Sequence, residues 1–142
     1  MKKIIKGKVY DTETAKKVAS WYSSYARNDF HYYEEELYQK KTGEFFLYGE
    51  GNAASPYSEK CIDGYGSGER IEPLTYTEAQ EWAEKRLDGD EYCEIFGEPS
   101  EDEDDVHIHC TITAAQNAKL RRIAGSQNAS VQDIIRQLIE KA

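Results

Sequence analysis

The sequence predicts an α+β fold in two parts. A small N-terminal α+β domain with a β-hairpin occupies residues 1–98, a C-terminal β-α-α dimerisation module occupies 106–142, and an acidic linker at 99–105 joins them. Three observations lead there. Strand and helix patterns alternate up to residue 98; "EDEDD" at 101–105 then breaks the apolar pattern; and "VHIHCTIT" at 106–113 alternates apolar with polar residues ahead of two helical stripes.

Composition sets the limits. The 142 residues are 39% hydrophobic, 32% charged and 12% aromatic, with 11 tyrosines, which is too rich in aromatics for a disordered chain. No apolar run approaches the ~20 residues needed to span a bilayer. Lys6, Lys8 and Asp11 interrupt any signal-peptide core after "MKKII". Cys61, Cys93 and Cys110 are odd in number and widely spaced, as reduced thiols are in a cytosol. The expectation is a soluble protein of the bacterial cytoplasm, with no membrane contact and no cofactor.

The net charge of −9 is unevenly spread. Residues 1–68 balance to zero, 69–105 carry fifteen acids against three bases, and 106–142 carry two acids against five bases. Acidity therefore comes from one central belt and the C-terminal module is mildly basic. The belt reads either as solvated surface or as a polyanion presented to a basic partner. In the second reading the contact residues are Glu91, Glu94, Glu98, Glu101, Asp102, Glu103, Asp104 and Asp105.

Each element has its own signal. "KIIKGKVYD" reads as a strand with Gly7 as a bulge, and Asp11 or Thr12 caps a following helix through Ala15, Val18, Ala19 and Tyr22. "HYYEEELYQKKTGEFFLYGEG" reads as two strands joined at "KKTG", and the glycine-rich stretch 49–68 as an irregular surface loop. In "PLTYTEAQEWAEKRL", Thr75 and Glu78 have capping-box spacing, Leu74 and Ala79 stand at staple positions, and Ala79, Trp82, Ala83 and Leu87 form one stripe. "DGDEYCEIFG" reads as a short helix capped by Asp88 or Asp90 and ended by Gly97, with Tyr92 and Phe96 turned inward.

In the C-terminal module Ile108, Cys110 and Ile112 share the buried strand face, opposite His107, His109, Thr111 and Thr113. Leu120, Ile123 and Ala124 form the next stripe, Asn128 the turn, and Ser130 the cap of a last helix. That helix carries Val131, Ile134, Ile135, Leu138 and Ile139 on one face. So small a core needs a second copy for burial, so 106–142 is expected to form a homodimer.

On these residues, above all the alternation, "LRRIA" and "SVQDIIRQLI", the module resembles a ribbon-helix-helix (Arc/MetJ-like) domain. The resemblance implies paired ribbons over four interlocked helices. It also implies a ribbon face of His107, His109 and Thr111 toward operator DNA, with Ser130 at the phosphate-gripping helix start. Histidine reads bases poorly, and Gln116 stands where the family has leucine, so dimerisation without DNA reading is the other possibility.

"KIIKGKVYDTETAKKVASWY", "ELYQKKTGEFFLYGEG" and "IEPLTYTEAQEWAEKRL" together resemble a small α+β domain of phage and mobile-element proteins, among them anti-CRISPR inhibitors of Cas9. The resemblance implies a non-enzymatic, homodimeric inhibitor that binds a Cas9-type nuclease, its guide RNA complex or its nucleic-acid-binding channel. The alternatives are a DNA-binding autoregulator or an antitoxin-like repressor. Catalytic and metal sites are not expected: the carboxylates lack a converging His or Lys, "GYGSGE" lacks the Lys-Ser/Thr of a phosphate loop, and His107 and His109 face away from Cys110. His31 has no special role in this reading.

Overall fold

The computed structural model describes residues 1–99 and 110–142. Its polypeptide is of mixed α+β class and divides into two compact units, Met1–His107 and Ile108–Ala142.

The first unit is built on a four-stranded antiparallel sheet. Its strands are β3 (Lys16–Tyr22), β4 (Tyr33–Gln39), β5 (Phe45–Gly51) and β8 (Gly68–Leu74), in the order β3-β4-β5-β8. The hairpin at "KKTG" forms between β4 and β5. Pairing of Tyr33 with Gly51 through Gln39 with Phe45 places odd-numbered residues of both strands on one face and even-numbered residues on the other.

The odd face is covered by α1 (Tyr76–Arg86) and α2 (Gly89–Phe96). Leu37, Phe45 and Leu47 meet Ala79, Trp82 and Ala83 there, and Tyr92, Ile95 and Phe96 close the cluster. Both predicted caps form: Thr75 with Glu78, and Asp88 with Glu91, each in a reciprocal box, and Gly97 ends α2 at φ 81°. Tyr92 and Phe96 turn inward as expected, with ring centroids 4.9 Å apart.

The even face is covered at one end only. There β1 (Lys2–Ile5) and β2 (Lys8–Asp11) form a separate hairpin, and Tyr10 packs edge-on to Phe46, which stacks on Tyr38. Gly7 is not a bulge. Lys6 and Gly7 both have positive φ, so they make the two-residue turn of this hairpin.

Two further expectations are corrected. Residues 16–22 form an edge strand and not a helix. Val18, Trp21 and Tyr22 are β-formers, and pairing with β4, through an irregularity between Lys17 and Ala19, satisfies the backbone. Asp11 accordingly closes a turn onto the Glu13 N–H (2.9 Å) instead of capping a helix. The stretch 49–68 is not all loop. It holds the end of β5, a small hairpin of β6 (Glu59–Cys61) and β7 (Gly64–Gly66), and the first residue of β8. Residues 52–58 fold back over the odd face, where a Cβ on Gly49 would lie 1.9 Å from the Tyr57 ring.

The second unit holds α3 (Ala114–Gln127) and α4 (Val131–Lys141), joined by Asn128 in the left-handed conformation (φ 50°). Ser130 caps α4 as predicted. No helix among the described residues is long and apolar enough to cross a membrane.

Candidate functional site

The uncovered end of the even face carries the densest chemistry of the described chain. Antiparallel register aligns Tyr22, Glu34, Glu50 and Glu69 in one row across β3, β4, β5 and β8. The next row is Ser20, Glu36, Tyr48 and Ile71. Neighbouring strands lie ~4.8 Å apart, so three carboxylates stand side by side, an arrangement that costs free energy unless protons or cations intervene.

Tyrosines supply some of those protons. Tyr32 donates to Glu34 (2.7 Å), Tyr38 to Glu36 (2.7 Å), and the Tyr48 hydroxyl lies 2.9 Å from Glu50 and 2.6 Å from Glu69. The Glu34 and Glu50 carboxyls are register partners across β4 and β5. The interaction with Glu34 and then burial raise Glu50, while the interaction with Glu50 and then the Tyr32 hydroxyl lower Glu34, so Glu50 is the one of the two that protonates first as pH falls. Burial, followed by the bonds to Glu69 and Glu50, raises Tyr48 and holds it as a donor.

Basic groups only partly offset the row. Lys17 pairs with Glu36 at 3.3 Å, and the Arg27 guanidinium approaches Glu34 no closer than 3.8 Å. With Asn52, Glu59 and Ser67, the residues Arg27, Tyr32, Glu34, Glu50 and Glu69 line an open depression of ≈ 500 Å³. Asn52 fixes one wall, its Nδ2 donating to the carbonyls of Arg27 (3.0 Å) and Asp29 (2.7 Å). Chemically this is an anionic, hydrogen-bond-accepting surface on a rigid sheet, suited to cationic side chains.

The opposite face shows a carboxylate in a different state. Glu35 is buried and accepts from Tyr57 Oη (2.8 Å), Trp82 Nε1 (2.7 Å) and Arg86 Nε (3.1 Å). It fastens loop, helix and sheet together and takes no part in the open surface.

The residues singled out from sequence are placed as follows. His107, Ile108, His109 and Glu101, Asp102, Glu103, Asp104 and Asp105 lie outside the described residues. Glu91, Glu94 and Glu98 are exposed on or just after α2, across the sheet from the carboxylate row, and Glu91 serves the cap of Asp88. Cys110, Thr111 and Ile112 are exposed and form no strand, so Cys110 and Ile112 are not buried as expected: among the described residues no neighbouring strand supplies them a ladder or a cover. Thr113 is no outward strand residue but the cap of α3, with Gln116 returning the bond, which accounts for a polar residue at 116. Ser130 Oγ accepts from the Asp133 N–H (3.1 Å). Ile134 is buried and Leu120 and Ile123 are half-buried, while Ile135 and Leu138 are exposed.

Sequence reasoning missed the row Glu34–Glu50–Glu69 because charge summed over 1–68, which holds Glu34 and Glu50, is zero, and Glu69 counts in the separate acidic belt 69–105. The signal was present at period two: Glu34, Glu36 and Tyr38 alternate on one strand, with Tyr32 just ahead of it, and Tyr48 and Glu50 on the next. Among the described residues no cluster of His, Cys, Asp or Glu could hold a metal ion. Comparison with known proteins gives no match: no family model fits the chain, and no curated protein or solved structure is similar to it.

Proposed function

We propose that this chain is a non-enzymatic, homodimeric binding protein that inhibits a Cas9-type nuclease, its open sheet face set against the basic surface with which the nuclease holds nucleic acid. The carboxylate row Glu34–Glu50–Glu69 carries the reading, because a regular array of anions on a rigid sheet offers a basic channel what a phosphate backbone offers it. The choice of nuclease rests on the resemblance of the N-terminal domain. Dimerisation is assigned to the second unit, where Ile112 just before α3 and Ile135, Leu138 and Ile139 on α4 are 41–63% exposed and the helix pair is too small to be stable alone.

The test is titration of a Cas9 ribonucleoprotein with the full chain, reading target cleavage and co-elution. Inhibition that weakens in Glu34→Gln/Glu69→Gln supports the reading; neither binding nor inhibition ends it.

A second reading has one observation behind it: the second unit is basic, with Arg121, Arg122 and Arg136 exposed. As an operator-binding autoregulator the chain would bind its own promoter DNA in a salt-sensitive way. Promoter binding without nuclease binding favours this reading over the first.

A further inference from the structure

On the helix-covered face Trp21 and Glu35 stand opposite each other across β3 and β4. Together they hold an arginine of the chain. The Arg86 guanidinium carbon lies 4.3 Å from the Trp21 ring centroid, and its Nε is 3.1 Å from Glu35 Oε2. Stacking on an aromatic ring while bonding a carboxylate suits guanidinium best, because its planar fork lies on the ring and bonds in its own plane; Lys40, 4.4 Å from the Tyr10 centroid and 3.0 Å from Glu44, does both only as a point charge.

One residue along each strand the same pair recurs on the other face. Tyr22 and Glu34 are register partners, so their side chains leave β3 and β4 together on the open side. Here the aromatic residue is 72% exposed. Beyond Glu34 the row continues to Glu50 and Glu69, which extends one arginine position into a track. Arg27 reaches toward Glu34 from the adjoining loop, but its side chain is 83% exposed and the 3.8 Å contact is longer than a hydrogen bond.

We propose that the open face, along Tyr22, Glu34, Glu50 and Glu69, docks arginine side chains of a partner protein, one guanidinium stacking on the Tyr22 ring while bonding Glu34. The inference deepens the proposed function by naming the side chain that the partner brings. Charge complementarity selects a basic partner over nucleic acid or an acidic peptide, and the aromatic–carboxylate pair favours the planar fork of arginine over the point charge of lysine. An incoming bidentate arginine competes directly with Arg27, so removing Arg27 should tighten binding.

The experiment titrates the full chain with hexa-arginine and hexa-lysine peptides, followed by calorimetry and by amide shifts in ¹⁵N-labelled protein. The expected result is tighter binding of hexa-arginine, with shifts centred on residues 20–22, 34–36, 48–50 and 69. Tyr22→Leu should weaken hexa-arginine by about two- to fivefold and hexa-lysine less. Glu34→Gln should weaken hexa-arginine about tenfold, and Arg27→Ala should strengthen it. Glu81→Gln/Glu84→Gln, on the exposed side of α1, should change nothing. Equal affinity for the two peptides, or shifts centred on 81–98, overturns the proposal without any variant having to fold. Arginine selectivity on this face in a protein that ignores Cas9 sinks the choice of target and leaves the site standing. Cas9 inhibition without arginine selectivity does the reverse.

Discussion

Trp82 Nε1 donates to Glu35 Oε2 at 2.7 Å, joining the middle of helix α1 to a carboxylate buried in the sheet. With Tyr57 and Arg86 as further donors, Glu35 is the polar centre of an otherwise apolar face.

Removing that centre leaves three donors without their acceptor, Arg86 among them as a charge. Glu35→Ala is expected to destabilise the first unit by about 3–5 kcal/mol, read from urea unfolding followed by tryptophan fluorescence. A loss under 1 kcal/mol would show that water satisfies the three donors and that the cluster is not what fastens α1.

Gly49 exists for the Tyr57 ring, which occupies the space of its missing Cβ. Gly49→Ala should cost about 1–3 kcal/mol through overpacking. In a Tyr57→Ala background the same change should cost much less, giving a coupling that a double-mutant cycle measures. Additive costs would place the strain elsewhere.

Acid should act on the molecule in two directions. The Lys8 and Lys40 side chains lower Glu44 to about 2, so its contribution is present above the unfolded value near 4.5 and is lost as pH falls toward 2. Glu50 is raised, so its contribution is complete below that unfolded value and is lost as pH rises through the folded pKa. Urea midpoints across pH should therefore show a smaller acid-side loss in Glu44→Gln and a smaller loss on raising pH in Glu50→Gln. Unchanged slopes in both variants would contradict these assignments.

The exposed stripe of α4 should control association. Leu138→Asp/Ile139→Asp replaces two side chains that are 54% and 63% exposed and touches nothing in the first unit, which should still fold. Light scattering should then give 16.3 kDa for the variant and twice that for the parent chain. A parent that is itself monomeric at micromolar concentration would remove dimerisation from the proposed function.

What could be read from the sequence followed from how local each signal is. The caps at Thr75, Asp88 and Ser130 and the turn at Asn128 depend on residues within one helical turn, and all formed where their spacing placed them. Residues 16–22 misled because "AKKVASWY" satisfies a helical stripe as well as a strand, and only the partner β4 decides between them. The acid row was hidden for a related reason. Glu34, Glu50 and Glu69 are separated by 16 and 19 residues, and only the register of three strands makes them neighbours.

The β1–β2 hairpin has only four residues in each strand, with Lys6 and Gly7 at its tip. At ~3.4 Å per residue it is too short to shelter more than part of the sheet beneath it. Its length therefore sets how much of the sheet stays open. Lengthening it could shade the acid row without touching a single residue of that row, and shortening it would lay bare Phe46 and Ile71 and turn a charged landing ground into a greasy one.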